Sequence, residues 1–242
     1  MSDFILYDAA NSPCARKVRM MLIENDIEFE SRWLALAVME QKQPWYLKLN
    51  PNGLVPTLLH GDTVIFDANV IIEYLDKTLP GSNLVPDSVD LQTQMRMWMA
   101  FEMEWAKPFR DVIYQTYAKK RLRETGVSAA FLGGEIQKRT TNPAYLHAAT
   151  SVLLDPVNEQ YLSDRIAILM ERMAWMEGQL THNDAWLLGD DFSLADIALA
   201  PRLDMFSFIG VTDFYFRYPL IEAYMNRIKA RPSWARSEMY PD

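Results

Sequence analysis

The residues best suited to chemistry cluster in two short stretches. The first is Asn11-Ser12-Pro13-Cys14, which sets an amide, a hydroxyl and the chain's single thiol side by side. Ser12 followed by Pro13 is a helix start, with Ser as N-cap and Pro at the first helical position. A capping hydroxyl uses one lone pair and keeps its proton, which it can donate to an anion facing the positive end of the helix. Ser12 is therefore either a cap alone or a cap that also binds an anion. Asn11 is a turn residue or an amide donor to the same anion or to a substrate oxygen. Cys14 falls in line with Val18 and Met21 and reads first as a buried thiol. The second stretch is Asn50-Pro51-Asn52-Gly53-Leu54-Val55-Pro56-Thr57-Leu58. A turn cluster runs into an apolar strand through Pro56, and proline belongs at a strand's first residue or on an edge. The backbone of Val55 is then open to pair with an extended peptide, as an added strand would.

Positioning these groups requires a sheet with helices against it. Phe4–Asp8 reads as a strand, and the helix opened by Ser12 stops near Asn25-Asp26. Phe29–Leu34 reads as a second strand, parallel to the first across the intervening helix. Thr57–His60 and Thr63–Phe66 flank Gly61-Asp62 as a hairpin. Asn69–Thr78 reads as a helix with Val70, Ile71, Tyr74 and Leu75 inward. The order β-α-β-α-β-β-α in residues 1–80 predicts a compact α/β layer. Pro80 to Asp87, rich in turn residues, reads as a linker (81–87), and 88–242 reads as all-helical. Ser88 caps one long helix to about Gln115, apolar around much of its surface through Met95, Trp98, Met99, Phe101 and Trp105. Gly126 to Pro156, with Gly133-Gly134, reads as irregular or broken helix. Gln160–Leu180 is amphipathic, Ser193 and Asp196 resemble a capping box, and a last helix spans Leu220–Ala230.

Composition narrows the functions. Net charge is −8 over 242 residues, which disfavours nucleic acid as a partner because phosphate contacts need clustered Lys and Arg. One cysteine excludes an intrachain disulfide, and His60, His147 and His182 lack metal-ligand spacing, so no metal is expected. The N-terminus lacks signal-peptide regions and no apolar run approaches ~18 residues, so a soluble cytoplasmic protein with no membrane partner is expected. Half of the residues are hydrophobic, with 7 Trp, 11 Tyr, 11 Phe and 14 Met, which suits a large interior and an aromatic, adaptable pocket.

The chain resembles the cytosolic glutathione transferases. Four segments carry the likeness: Ser12-Pro13-Cys14; Asn50 to Pro56; Phe66-Asp67-Ala68-Asn69-Val70-Ile71-Ile72-Glu73-Tyr74-Leu75; and the Ser193/Asp196 box. The resemblance implies a thioredoxin-like N-terminal domain, an all-α C-terminal domain, a cis Val55–Pro56 bond and a homodimer. Ser12-Pro13-Cys14 with Lys17-Val18-Arg19 is similar to zeta-class maleylacetoacetate isomerases and tetrachlorohydroquinone dehalogenases. Asn11-Ser12, Glu40-Gln41-Lys42 before Trp45, and the insertion between Lys119 and Gln160 look like glutathione-dependent β-aryl etherases.

By this resemblance glutathione is the co-substrate, and it must attack as thiolate. A free thiol has a pKa of ~8.5, so Ser12, with Asn11, would stabilise the charged form. Val55 would pair with the tripeptide backbone beside Pro56, and Lys42 would meet the glycine carboxylate or remain a solvated lysine. Asp67 and Ala68 stand where the family usually has Glu or Gln followed by Ser for the γ-glutamyl end. Asp67 is one methylene short and Ala68 has no hydroxyl, which leaves the Ala68 N–H. The second substrate, a small hydrophobic aromatic electrophile, would lie between the domains against Met99, Met103, Trp105 and Tyr114. The expected function is thiolate attack releasing a leaving group, such as phenolate from a β-aryl ether. The alternatives are isomerisation or reductive dehalogenation with Cys14 as nucleophile, and a non-catalytic glutathione-fold binding protein.

Overall fold

Two short strands and a proline-started helix set the first layer. In this computed structural model, which describes residues 3–36, 39–124, 128–138, 155–180, 185–209 and 217–238, β1 (Phe4–Asp8) leads into α1 (Pro13–Glu24) and β2 (Glu30–Trp33). A 3₁₀ turn (Glu40–Lys42) and α2 (Pro44–Leu47) follow, then β3 (Thr57–His60), β4 (Thr63–Phe66) and α3 (Ala68–Thr78). The four strands form one mixed sheet in the order β2-β1-β3-β4. β1 is parallel to β2, and the other pairs are antiparallel.

Register brings the two chemical stretches together. Tyr7 lies opposite Thr57 and Thr57 opposite Phe66. The end of β1, the start of β3 and the end of β4 therefore share one edge of the sheet. The Ser12, Val55-Pro56 and Asp67-Ala68 segments all leave from that edge.

The second layer is helical. α4 (Val89–Ile113) passes into a π-helical turn (Tyr114–Ala118) and α5 (Lys119–Glu124), then α6 (Ala129–Gln137). α7 (Glu159–Leu180), α8 (Leu194–Asp204), a 3₁₀ turn (Met205–Ile209), α9 (Pro219–Lys229) and α10 (Pro232–Arg236) complete the described residues. Among them no named strand follows β4. No helix of the described residues is long and apolar enough to cross a membrane.

One hydrophobic cluster runs through both layers, from Leu6, Val18 and Ile71 to Trp105, Met173 and Tyr224. α8 is its axis: Leu194 to Leu203 are buried throughout. Ala195, Ala198 and Ala200 keep its girth small enough for both α1 and α4 to pack against it. Its start is the expected capping box. The Ser193 Oγ accepts from the Ala195 N–H, and Asp196 accepts from the Ser193 N–H at 2.9 Å.

Three local expectations are corrected. Val70 is 55% exposed. Ala68, Ile71, Ile72 and Leu75 fill the buried arc of α3, and at 100° per residue Val70 points nearly opposite. Gly133 and Gly134 lie inside helix α6, started by Ser128, whose Oγ accepts from the Phe131 N–H. Two glycines cost a helix about 1 kcal/mol each, less than enough to break this one. Of the stretch expected to be irregular or broken helix, residues 126–127 and 139–154 lie outside the described residues. The long helix also ends two residues early, where the π turn intervenes.

Candidate active site

Ser12 is the N-cap of α1, with its Oγ accepting from the Ala15 N–H at 3.2 Å. The residue is buried, and in that bond its Oγ is the acceptor, which leaves its proton to donate. The cap and a donated hydrogen bond are thus compatible. Asn11 is exposed beside it.

The loop before β3 is built from side chains. The Tyr46 hydroxyl lies 2.7 Å from both the Leu54 carbonyl oxygen and the Thr57 Oγ1. The Asn50 Nδ2 donates to the same two atoms at 2.9 and 3.0 Å. Four hydrogen bonds from buried groups hold Leu54 and Thr57 on either side of Val55-Pro56, whose peptide bond is cis. Val55 is half-buried and packs against Tyr46 and Tyr7.

Lys42 closes the other side of the loop. Its Nζ donates to the Asn52 carbonyl at 2.8 Å, and burial pushes its pKa down to about 8. Gly53 has a φ of +55°, and a Cβ there would lie 2.7 Å from the Lys42 Nζ. Glycine at that position therefore leaves the ammonium its room.

At β4's end Asp67 has a φ of +74°, a conformation that non-glycine residues adopt mainly where the surroundings impose it. Its carboxylate accepts from Asn69 and Val70 N–H groups at 2.9 and 3.2 Å. Asp67 is therefore occupied as the N-cap of α3. Ala68 is the first helical residue, so its N–H lacks an intrahelical partner. With no side-chain oxygen at Ala68, backbone and helix end are what this corner offers an anion.

The four wall candidates do not share one surface. Met99 and Trp105 are buried, and Trp105 packs edge-on against Phe101 at 4.8 Å. Met103 and Tyr114 are 47% and 38% exposed. Met99 and Met103 follow one another at i, i+4 along α4, whereas Trp105 faces away into the helical core.

One group of residues was not anticipated. The Lys17 Nζ lies 2.5 Å from the Glu102 Oε2 and 3.3 Å from the Asn69 Oδ1. The Arg202 Nε donates to the Glu102 Oε1 at 2.7 Å, and the Arg202 Nη2 lies 3.5 Å from the half-buried Cys14 Sγ. Burial would raise the Glu102 carboxyl, but Lys17 and Arg202 hold it below its usual value. Burial likewise opposes the charge on Arg202, and Glu102 and Cys14 turn the balance upward. A Lys in an amphipathic first helix, a Glu in an apolar helix interior and an Arg after an alanine-rich turn were the available signals. Among the described residues no group of three or more His, Cys, Asp or Glu could hold a metal.

A thioredoxin-like layer with a cis-proline strand entry, docked on a helical domain, defines the class of glutathione-binding transferase folds. Comparison with known proteins agrees. Residues 11–78 match the glutathione S-transferase N-terminal domain, and residues 141–232 match the glutathione S-transferase C-terminal domain. The chain belongs to the glutathione transferase family and is an enzyme of that family. It is 26% identical to Protein LigF of Sphingobium sp. over 94% of this chain and 90% of that one. It is 25% identical to glutathione S-transferase TCHQD of Arabidopsis thaliana over 96% of this chain and 88% of that one. The crystal structure of the β-etherase LigF superposes with a TM-score of 0.85 at 24% identity, covering 98% of each chain. Glutathione transferase URE2P8 of Phanerochaete chrysosporium, solved with oxidised glutathione, gives 0.77 at 21% identity, covering 98% of this chain and 94% of that one.

Proposed function

We propose that the shared edge of the sheet binds glutathione and directs its thiolate at a hydrophobic aromatic electrophile. The observation that carries this reading is the register, which brings the Ser12, Val55-Pro56 and Asp67-Ala68 segments to one edge. Val55 pairs with the cysteinyl backbone. The Ala68 N–H and the start of α3 meet the γ-glutamyl carboxylate. Lys42 faces the glycine carboxylate. The Ser12 hydroxyl, with the Asn11 amide, donates to the sulfur, and the positive end of α1 adds to the stabilisation.

The electrophile lies against α4, with the exposed Met103 and Tyr114 as walls. In a β-aryl ether the sulfur forms a bond to carbon as the carbon–oxygen bond breaks. Phenolate leaves with the electron pair and takes a proton from solvent. The likeness to LigF, a β-etherase, supports this substrate class. A cytoplasmic homodimer belongs to the same reading.

A second reading makes Cys14 the nucleophile of a glutathione-dependent isomerase or dehalogenase. It is favoured by one observation, the Arg202 Nη2 at 3.5 Å from the Cys14 Sγ. The test is turnover of a β-aryl ether dimer with glutathione, scored by phenol release and a glutathione thioether product. Phenol release that needs glutathione supports the first reading. Glutathione bound with no thioether formed from any aryl ether or aryl halide overturns it.

A further inference from the structure

The first helix carries three cations, each matched by an acid, two of them across the layers and Arg19 within its own. Arg16 meets Asp204 at 2.8 Å and stacks on Trp234. Arg19 meets Asp8 at 2.5 Å. Lys17 meets Glu102 at 2.5 Å, with Asn69 of α3 as its neutral second partner. α8 then brings Arg202 to the same Glu102 carboxylate. Two cations therefore share one carboxylate, and among the described residues a single positive charge is left over. Lys17 and Glu102 have fully buried side chains, and Arg202 is 7% exposed at its side chain. Asp204, the nearest other acid on α8, is engaged by Arg16.

A buried excess charge is costly unless an anion meets it. The Arg202 Nη2 turns toward the first turn of α1, where Cys14 lies. Ser12, two residues earlier, caps the same turn. We propose that Lys17, Glu102 and Arg202 form a charge-setting cluster whose one excess positive charge supports a thiolate at the first turn of α1. Arg202 is the positioning residue that the helical domain contributes. Glu102 sets how much of the charge is felt. The cluster adds to the helix end, since Arg202 brings its positive charge to the first turn of α1. It also makes thiol activation depend on docking of the two domains, because α1 and α8 must be packed for Arg202 to reach the turn. This inference rests on the glutathione reading for the identity of the anion.

The test is a charge series, read as the pH titration of thiolate absorbance in the difference between protein with and without glutathione. Arg202→Met removes the excess charge, and the titration should move to higher pH. Glu102→Gln doubles the excess, and the titration should move to lower pH. Each displacement should be on the order of one unit. The double variant restores one excess charge and should titrate with the wild type, as should Arg202→Lys. A loss of packing alone would not move the two single variants in opposite directions. If Arg202→Met does not fold, Glu102→Gln decides by itself. Single variants that titrate with the wild type, or that both move the same way, overturn the proposal. If the wild type gives no glutathione-dependent thiolate, the glutathione reading falls. The cluster is then judged on the pH profile of Cys14 alkylation in the free protein. That profile should move in the same order across the series, and an unmoved profile overturns the proposal as well.

Discussion

Ser12→Ala separates the two roles that one hydroxyl carries. In the structure the Ser12 Oγ accepts one backbone bond, from Ala15 at 3.2 Å. Losing an N-cap of this kind costs about 1 kcal/mol, which for a chain of this size lowers the melting temperature by roughly 2–4 °C. The variant should therefore fold. A hydrogen bond to a charged group is worth about 1.5–3 kcal/mol. Its loss should cut kcat/KM at neutral pH by roughly ten- to a hundredfold. The missing bond disfavours the thiolate, so the pH–rate profile should shift to higher pH and part of the lost rate should return there. The assay is a pair of pH–rate profiles for Ser12→Ala and Cys14→Ser on one electrophile that the wild type turns over. Cys14→Ser should keep its rate within severalfold, because in the first reading Cys14 touches neither sulfur nor substrate. An undiminished Ser12→Ala together with an inactive Cys14→Ser would refute the reasoning and transfer the chemistry to Cys14.

Other outcomes follow from the same geometry. Tyr46→Phe removes the hydroxyl shared by Leu54 and Thr57. It should cost about 1–2 kcal/mol in denaturant titration and raise the KM for glutathione more than it lowers kcat. Burial holds Lys42 at about 8, so S-methylglutathione, which has no thiol to titrate, should bind with steady calorimetric affinity below that pH. It should bind more weakly above it, and Lys42→Met should flatten the curve. Ala68→Ser returns a hydroxyl to the α3 start and should tighten glutathione roughly fivefold, the worth of about 1 kcal/mol. Burial pushes the Asp196 carboxyl up to about 6, from 3.8 when unfolded. The folded value is the higher one, so this group's contribution to stability declines as pH rises between those values and is level beyond. Asp196→Asn should remove that slope from a stability–pH curve while lowering stability overall, since Leu187, Ser193 and Tyr224 all donate to the carboxylate.

What could be read from the chain and what could not divides by the range of the interaction. Ser12-Pro13, the hairpin around Gly61-Asp62 and the Ser193/Asp196 box each set their structure within a few residues, and each is found where its local signal puts it. The strand entry at Pro56 was also legible, because a proline beside a strand has few places to go. The side chains that steady it were not. Tyr46 lies 11 residues from Thr57 and in another element, and nothing in its neighbours marks it as different from any buried tyrosine. The wall residues show the same limit on one helix. A Met and aromatic stripe cannot say which of its members faces the core, and Trp105 turned inward while Met103 did not. The Lys17–Glu102–Arg202 cluster is the extreme case, with partners 85 and 100 residues apart. Each of the three carries the bland local reading of a solvated charge. Only the packing of α8 against both α1 and α4 makes them one object, and that packing is possible because three alanines keep α8 slender. The alanines were visible as small residues, but what their smallness admits is a charge pair from two other helices. A helix chosen for close approach thereby brings a cation to within reach of the turn that caps the candidate site.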